Sequence, residues 1–367
     1  MTTLYIHIPF CSQKCFYCSF VVSVGQAQRI DSYLDCLEME AKRHERTEVQ
    51  SVYIGGGTPT LMNNDQLRKL FDIISKYFRV SSGAEWTIES NPEGIEHSKL
   101  TLLKQKGITR ISLGVQSLND RYLKYLGRNH DASTAIKAFQ LIRECGFGNV
   151  NVDLMFAFPD QTIAELKKDV DAVIQLNGDH LSLYTLTIEE PSRFFVQNIQ
   201  LRDDHDQAQQ YEMVCHMLDA AGFEQYEVSN FARVMKMSQH NLHYWKGGEY
   251  IGLGIGAHSY INAKRSWNVS RLKDYISRMK NNVSVEAGCE TLTPFDQMKE
   301  TVLFGLRMNA GVPVKQIEKR FGCFLSKEQQ QKIDDFIQGG FLFFEEGFLK
   351  TSSKGRLVLD ELCAQLI

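Results

Sequence analysis

The chain has 367 residues, 43% of them apolar and 23% charged, and a formal net charge of −3. That is ample for a core and predicts one large domain plus a smaller one, while the absence of a long basic run excludes the electrostatic footprint of a nucleic-acid binder. No apolar stretch approaches the roughly eighteen residues of a membrane helix, and Met1 leads into a strand pattern with no basic-then-apolar leader, so a cytoplasmic protein is expected.

Taken in chain order, strand-like runs fall at residues 4–8, 51–54, 85–90, 110–113, 151–155 and 180–184. Amphipathic stretches at 30–44, 65–78, 133–145 and 163–176 lie between them, each suited to a crossover helix. Repeated βα units predict a parallel α/β fold, and polar or glycine-bearing residues follow successive strands, at Cys11, Gly55 to Thr58, Glu89, Gln116 and Asp153. A barrel builds its site at such strand ends, so a partial (β/α)6 barrel of the TIM type is expected over residues 1–232. The rhythm then stops. A loop-rich connector is expected at 233–292, with His240-Asn241-Leu242-His243-Tyr244-Trp245 and a glycine-rich run from Gly252 to His258. Residues 293–367 carry helical patterns, apolar runs around a Glu345-Glu346-Gly347 turn and a last helix, predicting a smaller, mainly helical, winged-helix-like domain.

The chemistry is densest after the first strand, where Cys11, Cys15 and Cys18 stand within eight residues. A closed structural site normally has four ligands, so three suggest a metal centre with one open position. Thiolates at intervals of four and three on one loop can each take a different iron of a four-iron cluster, leaving the fourth iron to a small chelating ligand such as the amino and carboxylate groups of a methionine. The remaining cysteines, Cys36, Cys145, Cys215, Cys289, Cys323 and Cys363, are scattered and read as reduced and structural. The run Gly55-Gly56-Gly57-Thr58 allows close backbone approach to a ligand, yet lacks the lysine of a P-loop.

The Cys-x-x-x-Cys-x-aromatic-Cys loop, with Tyr17 at the aromatic position, resembles the signature of the radical S-adenosylmethionine superfamily. Its setting, Tyr5-Ile-His-Ile-Pro-Phe-Cys11, looks like the branch that joins oxygen-independent coproporphyrinogen III oxidases, HemN-like, with HemW-type heme chaperones. The resemblance implies a 4Fe-4S cluster on Cys11, Cys15 and Cys18. It also implies S-adenosylmethionine bound by Tyr5, Tyr17, Gly56, Gly57, Thr58, Glu89, Gln116, Arg128 and Asp153. Carboxylates suit the ribose hydroxyls and ammonium of that cofactor, and an arginine suits its carboxylate.

Two features separate the branches. Cys18 is followed by Ser19 and Tyr5 stands almost first, whereas the oxidase typically has a further cysteine and an N-terminal extension; both point to the chaperone. His240-Asn-x-x-Tyr244-Trp245 matches a motif proposed to hold heme in HemW-like proteins, and imidazole is a competent axial ligand. His243 and His258 are weaker candidates. The expectation is a chaperone that carries heme as cargo to apo-hemoproteins of the respiratory chain, with no catalytic residue assigned and any membrane contact peripheral. Oxidative decarboxylation of coproporphyrinogen III is the alternative.

Overall fold

The computed structural model describes residues 2–366; Met1 and Ile367 lie outside the described residues. All six expected strands form: β1 Thr2–Ile8, β2 Thr47–Gly56, β3 Phe78–Ser90, β4 Arg110–Gln116, β5 Val150–Phe156 and β6 His180–Thr185. They pair in parallel in that order. The four expected helices lie between them as Ile30–Ala41, Asn64–Tyr77, Ala132–Glu144 and Ile163–Gln175.

The register explains the burial. Leu4, Ile6, Ile54, Ile88, Ile111, Leu113, Val152, Leu154 and Leu183 share one parity and pack against the helices. Burying such a side chain contributes roughly 2 kcal/mol. The other parity faces the barrel interior and is polar: Tyr5 aligns with Tyr53, Tyr53 with Thr87, Glu89 with Ser112, and Asp153 with Ser182. One face of the sheet therefore supplies the core and the other the chemistry.

Beyond β6 come short antiparallel strands, β7 Glu224–Glu227 and β8 Asn230–Ala232. The next segment departs from the expected loop-rich connector. Helix Gln239–Trp245 leads to β9 Glu249–Leu253, which pairs in parallel with β1 on the side away from β2, and then to antiparallel β10 His258–Ile261, β11 Lys264–Asn268 and β12 Glu286–Thr291. Glycines hid these strands. Gly252 lies so close to His258 that an added Cβ would sit 2.0 Å from its carbonyl oxygen, so the run that reads as a loop is a tight strand contact. The sheet runs from β12 to β7 without its ends pairing, an open barrel of twelve strands among the described residues.

The C-terminal part has helices Pro294–Arg307, Val314–Phe321 and Lys327–Gln338, a hairpin of Leu342–Glu345 with Phe348–Thr351, and the last helix Leu359–Leu366. Its own core includes Met298, Val302, Leu306, Ile333 and Leu349. Arg307 and buried Glu227, 3.5 Å apart, tie it to the barrel edge.

Candidate functional site

Cys11, Cys15 and Cys18 are free, partly exposed and presented by the loop that leaves the C-terminal end of β1. Thr58 Oγ1 lies 3.7 Å from Cys11 Sγ, and Arg128 Nη1 3.4 Å from Cys15 Sγ. Among the described residues no three such side chains converge on a single ion. Thiolates that each take a separate iron need no such convergence.

The glycine run sits against this loop. Gly57 donates its N–H to the Ile8 carbonyl at 2.8 Å, and a Cβ there would lie 2.9 Å from Cys11 Sγ. Gly56 has φ +112°, and a Cβ would meet the His7 ring at 2.5 Å. His7 is fixed in turn, Nε2 donating to the Val21 carbonyl at 2.7 Å while Nδ1 accepts from Tyr5 Oη at 2.9 Å.

Glu89 is half-buried at the end of β3. It accepts from the Gly56 N–H at 2.9 Å and from Tyr53 Oη at 2.8 Å. Burial pushes its carboxyl up to about 7, with the Asp153 carboxylate adding to the rise and the two hydrogen bonds and Arg110 opposing it. Asp153 lies further round the barrel and accepts from Asn151 at 2.7 Å and Ser112 at 3.3 Å. Burial raises it as well.

Arg128 donates through Nη2 to Asn91 Oδ1 and to the Gly114 carbonyl, both at 2.7 Å, while its Nε is buried without an acceptor. Gln116 follows a bulge in β4 with φ +68°, a strained conformation for a residue with a side chain, and its amide lies beside Gly114. Tyr17 packs with Phe16 against Tyr122, Leu126 and Phe194. The cysteine loop, glycine run, Glu89, Gln116 and Arg128 thus come together at one end of the barrel.

His240, expected to hold heme, is buried against the barrel wall with both ring nitrogens engaged. It is 1% exposed, with Nδ1 2.8 Å from Ser51 Oγ, Nε2 2.9 Å from Tyr244 Oη and its ring against Tyr53. Burial drives its pKa down to about 3, so it is neutral with both nitrogens engaged. Its helix is clamped to β3 by Glu85, whose carboxylate accepts from the Gln239 and His240 N–H groups and the Ser238 hydroxyl at 3.1 to 3.2 Å. His243 is likewise bound at both nitrogens, by Gln50 and the Glu249 carbonyl.

What His240 supports does reach the site. A cavity of about 580 Å³ is lined by Tyr5, Gly56 and Glu89 at one end, Tyr244, Trp245 and Tyr250 along the wall, and Phe304 and Arg320 of the C-terminal part. Its volume and aromatic lining suit a large, flat, mostly apolar ligand. Trp245 is held edge-on by Phe304 and lies under the Arg307 guanidinium at 4.8 Å.

Residues 5–173 match the model of the radical SAM superfamily, and residues 292–358 that of the HemN C-terminal domain. The chain is 34% identical to the heme chaperone HemW of Bacillus subtilis, over 99% of this chain and 98% of that protein. This chain belongs to the HemW family. The HemW of Lactococcus lactis is 32% identical, over 96% of this chain and 93% of its own. The solved structure of Escherichia coli coproporphyrinogen III oxidase, HemN, described as a radical SAM enzyme, superposes with a TM-score of 0.88 at 25% identity, covering 100% of this chain and 89% of that one. This chain is therefore similar in fold to that oxidase. Tyr5 to Asp153 fall in the radical SAM match, Phe304 and Arg320 in the HemN C-terminal match, and His240 and His258 between them.

Four contributors were missed from sequence: Asn91, Tyr53, His7 and Glu85. Asn91 joins Arg128 to Thr58, donating to Thr58 Oγ1 at 3.1 Å, and its only local signal was the Asn-Pro turn after β3. Tyr53, His7 and Glu85 face inward on strands, a parity visible once the register is known.

Proposed function

We propose that this protein is a heme chaperone that holds a 4Fe-4S cluster and S-adenosylmethionine at the barrel mouth and passes heme to apo-hemoproteins of the respiratory chain, from the cytoplasm. The observation that carries this reading is the single cavity running from Tyr5, Gly56 and Glu89 to Tyr244, Trp245 and the C-terminal part. Three of the residues assigned to the cofactor thus border an aromatic cleft large enough for a macrocycle.

The residues fit the implied groups. The free thiols of Cys11, Cys15 and Cys18 share one loop, and Gly57 leaves the space beside Cys11 that any other residue would fill. Arg128 keeps a buried donor without an acceptor, suited to a carboxylate. Glu89 offers a carboxylate to a cation, and Tyr53 and the Gly56 N–H orient it. When bound, a reduced cluster of this class can supply an electron to the sulfonium of its cofactor. The chain's own part is to position, shield and orient. His240 steadies Tyr244 at the cavity wall, and the C-terminal helix Pro294–Arg307 closes the cleft through Phe304.

The test is a reaction the relative performs and this protein is expected not to. Anaerobically reconstituted protein given coproporphyrinogen III is expected to leave it unconverted by chromatography while binding heme near one to one. Robust formation of protoporphyrinogen IX would overturn the chaperone reading in favour of the oxidase.

A further inference from the structure

Resting on the heme reading above, we propose that His258 is the axial ligand of the bound heme iron and that Arg320 takes the carboxylate edge of the macrocycle. Two imidazoles line the cavity, those of His7 and His258. His7 is excluded because both its nitrogens are committed, to Tyr5 and to the Val21 carbonyl. Among the described residues the His258 side chain makes no hydrogen bond to either nitrogen; its ring only stacks on Trp267, with centroids 5.9 Å apart and planes 27° from parallel. A neutral imidazole with a free lone pair at an aromatic cleft is what heme iron takes.

The backbone places this residue with care. Gly252 is pressed against the His258 backbone, and Gly256, at φ +62°, lies where a Cβ would come 3.0 Å from Val21, just beyond the cysteine loop. The glycine run thus ties His258 both to β9 and to the segment that follows the thiols. On the paired strands β10 and β11, His258 aligns with Trp267 and Tyr260 with Arg265, and residues two apart share a face, so His258, Tyr260 and Arg265 look into the same cleft.

The two cations that line the cavity are unequal. Arg265 is held by Glu290 at 2.8 Å and Glu300 at 2.6 Å, whereas Arg320 has no ion pair among the described residues and also lines the cavity. Arg320 is therefore the cation available to a propionate. Ligation forms an iron–nitrogen bond from the neutral ring without loss of a proton or change of oxidation state. His240 remains a positioning residue acting through Tyr244.

Heme is titrated into the anaerobically reconstituted full-length protein and followed by its Soret band and by electron paramagnetic resonance for the iron spin state. His258→Ala is expected to lose the histidine-ligated signature and to weaken binding by at least about tenfold. Added imidazole should restore the signature while the iron-sulfur absorbance stays unchanged, which separates ligation from misfolding. His240→Ala should keep the signature with weaker affinity, and Arg320→Ala should raise Kd with the spin state intact. If His258→Ala binds with unaltered spin state and affinity, or if imidazole rescues His240→Ala instead, the ligand assignment is overturned while the chaperone reading stands. If the unaltered protein shows no Soret change at all, both fall together.

Discussion

At the scale of single residues, Glu89 concentrates the electrostatics of the end proposed for the cofactor. Its carboxyl titrates near 7 because burial and Asp153 outweigh the hydrogen bonds from Tyr53 and Gly56 and the charge of Arg110. A raised folded pKa gives stability that is full below the unfolded value near 4.5 and is lost as pH rises through about 7. A cationic ligand reverses that preference, since it favours the ionised form. S-adenosylmethionine is therefore expected to bind about tenfold more tightly at pH 8 than at pH 6, with proton release on binding near neutrality. Isothermal titration in buffers of different ionisation enthalpy checks this, and Glu89→Gln should bind more weakly and lose the pH dependence. The three cysteines were legible because all three thiols lie within one short loop. Tyr53 and Asn91 were not, because their partners, Glu89 and Arg128, stand 36 and 37 residues away.

Among the elements, helix Gln239–Trp245 shows how a motif can be legible while its setting is not. The sequence picks out His240, Tyr244 and Trp245 together, but not that this helix rests on β2, where Ser51 and Tyr53 take up the His240 ring. Four residues apart on a helix, His240 and Tyr244 share a face, and it is the tyrosine that reaches the cavity. Glu85 anchors the arrangement by accepting from three donors at the helix start. Glu85→Ala is expected to destabilise the fold by about 1–3 kcal/mol, and to lower heme affinity without changing the spin state of bound iron. Chemical denaturation and heme titration of the same variant measure the two effects. The strand Glu249–Leu253 escaped notice for a simpler reason, since the glycines that let it pack closely also erase the alternation that marks a strand.

For the whole molecule, a barrel with a polar interior and a smaller helical part share one cavity, and its ownership separates the candidate functions. The end proposed for the cofactor is lined by Tyr5 and His7 of β1, Gly56 of β2, Glu89 of β3 and the Ser19 to Val21 segment after the thiols, and the cleft by the later strands and helix Pro294–Arg307. The βα order was readable because each unit repeats the same pattern of apolar parity and crossover helix. The closeness of the two parts was not, since Trp245 meets Phe304 and Arg307 across about sixty residues of chain. A cleft walled partly by the C-terminal part suits cargo that must leave again. The most direct measurement loads the reconstituted protein with heme, mixes it with an excess of a respiratory apo-hemoprotein under anaerobic conditions, separates the two and records the Soret band of each. Heme is expected to leave this protein and appear in the acceptor with the spectrum of its native holo form; heme that stays bound to this protein while the acceptor remains empty would contradict the account.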